Sequence, residues 1–185
     1  EVNAGRVEVA LKQLRQRDAG AEIVREQYAG RYPLELVQNA NDAVAAEGAT
    51  AQHITFRVTE SALLVGDTGA GFGTAQVESI CDIAQSSKDP RKSVGYKGLG
   101  FKSVAEITDT PQIISGDLRF GFDRARLRRE VEAIIGRALD VDFPLPDYAF
   151  PFELSDADLG ADLDTVEELQ ASGFRTVMRL PFRDD

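Results

Sequence analysis

Three polar residues on one predicted helix could bind a metal ion and activate water. Glu35, Asn39 and Asp42 lie in the segment ELVQNANDA, and at about 100° per residue they fall within about 60° of one another around a helix. An asparagine carbonyl oxygen is a hard, neutral ligand that suits Mg²⁺. A carboxylate one turn away could orient or deprotonate a water molecule. A solvent-exposed polar helix face would show the same pattern, so the helix alone leaves both interpretations open.

The second motif is an aspartate followed by glycines after a short apolar run. Asp67 comes two residues after the apolar run 62–65, and Gly69 and Gly71 follow it within four residues. A carboxylate in this place could accept a hydrogen bond from the exocyclic amine of a base such as adenine. The glycines would let the backbone approach a flat ligand closely. The alternative interpretation is a glycine turn that binds nothing.

A glycine-rich loop that leads into a predicted helix forms the third motif. Free N–H groups and the helix dipole at such a place favour phosphate, and Lys97 and Lys102 add positive charge. The loop is not a Walker A motif, because Phe101 separates Gly100 from Lys102. A surface loop without a ligand is the alternative. The candidate phosphate-binding residues of the loop are Gly95, Lys97, Gly98, Leu99, Gly100, Phe101 and Lys102.

Helices and strands that must position these motifs follow from the apolar periodicity. Helical spacing predicts helices over about 2–17, 20–29, 34–47, 74–84, 99–107, 123–138 and 163–171. Alternation and short apolar runs predict strands over 53–59, 62–65, 112–115, 118–122 and 174–180. Residues 139–161 are rich in Pro and Asp and predict irregular structure. The strands are too few for a regular βαβ series, which favours an α+β two-layer sandwich, with a mostly antiparallel sheet and helices on one face.

Composition limits the class of protein. The chain has 185 residues, 43% of them apolar and 28% charged, which is typical of one globular domain. Its net charge of −10 argues against direct binding to nucleic acid, which depends on Lys and Arg. No apolar run approaches the ~20 residues of a membrane helix. The single cysteine, Cys81, and the lack of a membrane-helix or signal-peptide pattern lead us to expect a cytoplasmic setting. We also expect a domain taken from a longer protein, because the chain lacks an initiator Met and stops after a strand-like run.

Taken together, the three motifs resemble the GHKL superfamily and its Bergerat ATP-binding fold. That superfamily includes the ninety-kilodalton heat-shock chaperones, the gyrase B subunit, MutL and the sensor histidine kinases. The resemblance spans about residues 30–108 and extends to 180 through Thr176. Within the superfamily the sequence is similar to sacsin-like and NO VEIN-like domains, in the stretches GFG…VESICDIAQSSK…VGYKGLGFKSV and TVMRLPFR.

The resemblance implies a single domain over 1–185 that binds ATP and Mg²⁺ and hydrolyses ATP slowly. Glu35 would be the general base, Asn39 would be the Mg²⁺ ligand, and Asp42 would support the same nucleotide-facing stripe. Asp67 would bind the adenine amine. Thr176 would complete the adenine contact, partly through water.

The remaining roles implied by the resemblance concern the glycine-rich segments. Gly71, close to Gly69, would let the base approach, and residues 73–97 would form a mobile ATP lid. The β- and γ-phosphates would be held by Gly98, Gly100 and the backbone at Phe101 and Lys102. The sequence departs from the pattern at Arg175, which replaces the glycine that usually precedes the late threonine.

The expected function is an ATPase module whose lid closure moves downstream domains of the same protein, in the manner of a chaperone that acts on protein clients. One alternative is a DNA-processing ATPase of the MutL or topoisomerase type, against which the acidic charge argues. A histidine kinase is disfavoured, because such kinases lack a water-activating carboxylate at the position of Glu35. Another alternative is a nucleotide-binding module that does not hydrolyse ATP.

Overall fold

A single antiparallel sheet is the centre of the structure, a computed structural model that describes residues 5–15, 32–45, 53–83, 103–146 and 148–183. The strands are β1 (Ile54–Val58), β2 (Ala62–Asp67), β3 (Gln112–Ser115), β4 (Leu118–Gly121), β5 (Phe152–Glu153) and β6 (Thr176–Pro181). They lie in the order β1-β2-β6-β3-β4-β5, and every neighbouring pair is antiparallel. The last strand of the chain is therefore inserted between β2 and β3.

Most of the helices around this sheet lie at the positions that the periodicity predicts, and α5 is an addition to them. They are α1 (5–15), α2 (Tyr32–Ala45), α3 (Thr74–Ile83), α4 (Arg124–Ile135), α5 (Asp156–Leu159) and α6 (Leu163–Ala171). Short 3-10 segments lie at Ser103–Glu106 and Gly160–Asp162. The predicted helix over 20–29 and residues 99–102 lie outside the described ranges. Residues 139–161, predicted as irregular, contain the short elements β5 and α5.

The ends of α4 show how local chemistry sets an element's limits. The Asp123 carboxylate accepts a hydrogen bond of 2.7 Å from the backbone N–H of Arg126, which satisfies a free donor of the first turn. Gly136 takes the left-handed conformation and donates to the Glu132 carbonyl, the usual way in which a helix ends at glycine. These two residues place the helix inside the predicted range of 123–138.

One sheet face, which we call the α2 face, carries the largest apolar core. Side chains alternate along a strand, so Leu63 and Val65 of β2 project to the same face as Met178 and Leu180, their register partners in β6. Leu36 of α2 is fully buried against them. The buried members of this core are Leu36, Leu63, Val65, Ile80, Val104, Ala105, Ile113, Phe120, Phe122, Tyr148, Met178 and Leu180.

The opposite face, which we call the α6 face, carries a smaller core. Leu64 of β2 and Val177 of β6 pack there against Leu159, Val166 and Leu169 of the two last helices. Every residue of β2 is buried, which explains why its sequence is a continuous apolar run rather than an alternating one. The predicted α+β class is confirmed, and the covering of this second face by α5 and α6 is an addition that the periodicity did not indicate.

Helix α1 joins a separate apolar cluster, which reaches the edge strand β5 through Phe152. Leu11 of α1 joins Leu127 of α4 and Phe143 in a third apolar cluster. The guanidinium of Arg128 donates to the carbonyl oxygens of Asp140, Val141 and Phe143. This arginine therefore holds the irregular segment after α4 in place.

Candidate functional site

The end of β2 brings Asp67 into one line with two hydroxyl side chains. Asp67 pairs with Thr176 of β6, and Thr176 pairs with Ser115 of β3. Because residues that are opposite in an antiparallel sheet project to the same face, the three side chains form a row, which we call the polar row. Their exposed fractions are 6%, 1% and 5%. The row continues the α2 face directly beyond Val65 and Met178.

The polar row is tied to the glycine turn, by which we mean residues 68–73. The backbone N–H of Gly69 donates to the Asp67 carboxylate at 2.8 Å. The backbone N–H of Phe72 donates to Ser115 Oγ, also at 2.8 Å. Ser115 Oγ lies 3.1 Å from Thr176 Oγ1. The turn is thus attached to both ends of the row and crosses from β2 to β3.

Asp67 is a buried carboxylate whose charge no basic side chain of the described residues neutralises. Burial raises its pKa above the ordinary value, and the hydrogen bond from the Gly69 N–H only partly opposes that shift. No Lys or Arg in the described ranges forms an ion pair with it. A carboxylate offers about four acceptor positions, so Asp67 keeps capacity for a further donor.

Gly71 is required at its position for two reasons. Its φ of +85° lies in the region that side chains other than hydrogen rarely allow. A Cβ there would lie 2.8 Å from Ser115 Oγ and 3.0 Å from Arg175 Nε. The turn therefore packs closely between these two side chains. Arg175 itself is exposed, so the arginine that replaces the expected glycine lies along the outside of the turn.

Helix α2 lies over the same sheet face as the polar row. Leu36 is packed in the core of that face, and its neighbour Glu35 is half-buried. No described contact joins Glu35 to Asp67. The side chains of Asn39 and Asp42, and all of the loop residues 95–102, lie outside the described part of the chain. The structure thus brings together Asp67, Gly69, Gly71 and Thr176 of the predicted site residues.

Ser115 is the member of the site that the sequence analysis missed. It ends the predicted strand QIIS, two residues after the fully buried Ile113. A serine at an inward-facing position of a strand, where an apolar side chain would pack better, was the available signal. The spacing of Ser115 from Asp67 gave no indication that they meet, because β6 lies between their strands.

A second cluster of buried polar side chains lies on the α6 face. Arg179 of β6 donates from Nε to the Asp162 carboxylate at 2.6 Å and from Nη1 to Gln112 Oε1 at 3.0 Å. Ser61 Oγ donates to the same carboxylate at 2.5 Å. Burial, the largest influence, raises the pKa of Asp162. Hydrogen bonds from Ser61, Thr59 and Arg179, together with the positive charge of Arg179, outweigh it and leave that pKa lowered.

Metal and membrane features can be assessed only for the described ranges. Within them, no three side chains of the His, Cys, Asp or Glu type come together as a metal site. Asn39, the predicted Mg²⁺ ligand, is an amide whose side chain is not described. None of the described helices has both the length and the apolar character needed to cross a membrane.

The fold and the polar row define an α+β domain with a buried polar site at one end of its sheet. The sequence profile of the Sacsin domain matches residues 21–185, and the chain belongs to the sacsin domain family. It is also 34% identical over 151 residues to Protein NO VEIN of Arabidopsis thaliana, a match that covers 81% of this chain and 5% of the plant protein. The sacsin-like prediction is confirmed, whereas the wider placement among GHKL ATPases stays a prediction.

Proposed function

We propose that this domain binds ATP with Mg²⁺ and hydrolyses it slowly. We further propose that a lid over 73–97, which includes α3, closes on the nucleotide and changes the conformation of other domains of the same protein. The observation that carries the proposal is the polar row. It holds a buried carboxylate that lacks a cation among the described residues, beside a buried hydroxyl, at the margin of an apolar core.

A buried carboxylate without a cation is costly to a folded protein, because burial disfavours its charged form. Carboxylates with perturbed pKa values are concentrated at functional sites. The exocyclic amine of adenine is a donor that would satisfy the spare acceptor capacity of Asp67. The apolar side chains around the row would cover the faces of a flat base. This chemistry supports adenine as the group bound at the row.

The catalytic part of the proposal rests on α2 and on the loop that follows the lid. Hydrolysis of a phosphoryl group requires positioning and charge neutralisation more than covalent chemistry. Bound Mg²⁺ would neutralise part of the phosphate charge. Asn39 would supply its protein ligand, Glu35 would orient the attacking water, and Lys97 and Lys102 would add positive charge near the phosphates. Membership of the sacsin domain family is consistent with this assignment.

The test is thermal unfolding with increasing Mg-ATP, on the wild type and on Asp67→Asn. At about 100 times Kd, a ligand adds about 2.7 kcal/mol to the free energy of unfolding. We expect this gain in the wild type and its loss in Asp67→Asn, because the amide replaces one acceptor oxygen with a donor. Asp162→Asn, the same change on the α6 face, serves as the matched control and should keep the ligand response. Equal responses of the wild type and Asp67→Asn would refute the assignment of Asp67.

Hydrolysis is tested separately through Glu35. Glu35→Gln keeps the size of the side chain but cannot accept a proton, so we expect unchanged ATP-induced stabilisation and a fall in turnover of about 10²-fold or more. The measurement is phosphate release at saturating Mg-ATP. An unchanged rate, or no release from the wild type, would favour a nucleotide-binding module that does not hydrolyse ATP.

A further inference from the structure

Ser115 holds a place in the polar row that goes beyond packing. Its hydroxyl forms hydrogen bonds both with the glycine turn and with Thr176. Both hydroxyl groups are buried, so a hydroxyl hydrogen that finds no acceptor destabilises the fold. The direction in which the two hydroxyls donate is therefore determined by their partners.

The Phe72 N–H favours one direction, because a hydroxyl that accepts a hydrogen bond becomes a stronger donor. A serine hydroxyl has one donor hydrogen and two acceptor lone pairs, and Phe72 already donates to one of the lone pairs of Ser115. The hydrogen of Ser115 then needs an acceptor, and Thr176 Oγ1 at 3.1 Å is the one within reach among the described atoms. If Ser115 donates to Thr176, the hydroxyl hydrogen of Thr176 is left available. The chain of donors runs from Phe72 through Ser115 to Thr176.

We propose that Ser115 is a positioning residue that makes the Thr176 hydroxyl a hydrogen-bond donor toward the bound base. This inference rests on the proposed function. The polar row then presents an acceptor at Asp67 and a donor at Thr176. Adenine matches that pair with its 6-amino donor and its N1 acceptor, directly or through a water molecule. Guanine has an acceptor at position 6 and a donor at N1, and would leave both protein groups unpaired.

The glycine turn enforces the arrangement. A Cβ at Gly71 would lie 2.8 Å from Ser115 Oγ, so only glycine lets the turn come close enough for Phe72 to donate to that atom. Ser115 sits directly opposite Thr176 in the sheet register, which keeps the two hydroxyls at hydrogen-bond distance. The Phe72 N–H is thus positioned by the backbone of the turn, and the Thr176 hydroxyl by the register of the sheet.

The experiment compares the affinity for Mg-ATP with that for 1-deaza-ATP, in which carbon replaces the N1 acceptor. In the wild type we expect ATP to bind about tenfold more tightly, the effect of one hydrogen bond of about 1.4 kcal/mol. Ser115→Ala should reduce this ratio to about twofold or less. Ser115→Thr keeps the hydroxyl and should therefore keep the tenfold ratio. Ser115→Cys introduces a side chain of similar size whose S–H is a weak donor, so it should also reduce the ratio. It replaces the alanine variant in the experiment if that variant does not fold.

Ser61→Ala is the matched control, because the Ser61 hydroxyl also donates to a buried side chain, that of Asp162, but on the α6 face. It should leave the tenfold ratio unchanged even if it lowers stability. A purely structural Ser115 would weaken both ligands equally in Ser115→Ala and keep the ratio, which would overturn the inference while leaving the proposed function intact. Failure of the wild type to bind either nucleotide would overturn both.

Discussion

Two buried aspartates, one on each face of the same sheet, are stabilised by opposite means. Asp162 on the α6 face is paired with Arg179, and its pKa is lowered. Asp67 on the α2 face has the backbone N–H of Gly69 as its donor and no described cation, and its pKa is raised. The first pair connects β6 to the 3-10 segment before α6 and serves the fold. Burial of the second aspartate lowers the stability of the fold, and its one described hydrogen bond only partly compensates for this loss.

That difference supports a division of roles between the two faces. A buried ion pair whose hydrogen bonds are satisfied is a structural feature, and removal of one partner lowers the stability of the fold. A buried carboxylate with spare acceptor capacity is a feature that a ligand can complete. Proteins commonly lose stability at binding sites in exchange for function. The comparison therefore places the structural network on the α6 face and the candidate binding site on the α2 face.

The largest expected effect comes from making the same substitution at each aspartate. Asp162→Asn leaves Arg179 buried without its counter-charge and should lower the free energy of unfolding by about 3–5 kcal/mol. Asp67→Asn removes a buried charge and should raise that free energy at neutral pH. Denaturant unfolding without nucleotide measures both values. A loss of stability in Asp67→Asn similar to that in Asp162→Asn would break the comparison.

A second prediction concerns the glycine turn. Alanine at Gly71 must adopt a left-handed backbone, at about 1–2 kcal/mol, and it would also displace the Ser115 hydroxyl from Phe72, at about 1–3 kcal/mol more. Gly136→Ala is the control, because its φ is +70° but no atom lies within 4 Å of its Cβ position. Gly71→Ala should therefore be clearly more destabilising in denaturant unfolding. Equal losses would mean that the turn can move away from Ser115.

The smallest effect is a difference in pH dependence, of at most about 1.4 kcal/mol per pH unit for each aspartate. The pKa of Asp162 is lowered on folding, so its contribution to stability is present above the unfolded value of about 3.9 and is lost as the pH falls through the folded pKa. The pKa of Asp67 is raised, so its contribution is present below that value and is lost as the pH rises through the folded pKa.

Two differences isolate these contributions. The first is the unfolding free energy of the wild type minus that of Asp162→Asn, and the second is that of the wild type minus that of Asp67→Asn. The first difference should increase with pH in the acid range. The second should decrease with pH above about 3.9. Slopes of the same sign for both variants would show that the two aspartates do not differ in the way that their surroundings indicate.

Much of the secondary structure could be predicted from the sequence, because local patterns determine it. The hairpin of β3 and β4 follows from two apolar runs around Gly116 and Asp117, and α6 has the predicted bounds. The short elements β5 and α5 could not be predicted, because a two-residue strand and a four-residue helix have no periodicity to detect. Strand β5 is held by its pairing with β4, and α5 by the apolar core on the α6 face.

Some features of the candidate site could likewise be predicted from the sequence, and others could not. The sequence by itself determined the residue types, the aspartate followed by glycines and the late threonine, since each depends on neighbours along the chain. Only the tertiary structure decided that Thr176 lies beside Asp67 and that Ser115 completes the row, because β6 enters the sheet between β2 and β3. Strand order depends on how apolar faces are buried across the whole domain, and local sequence does not record it.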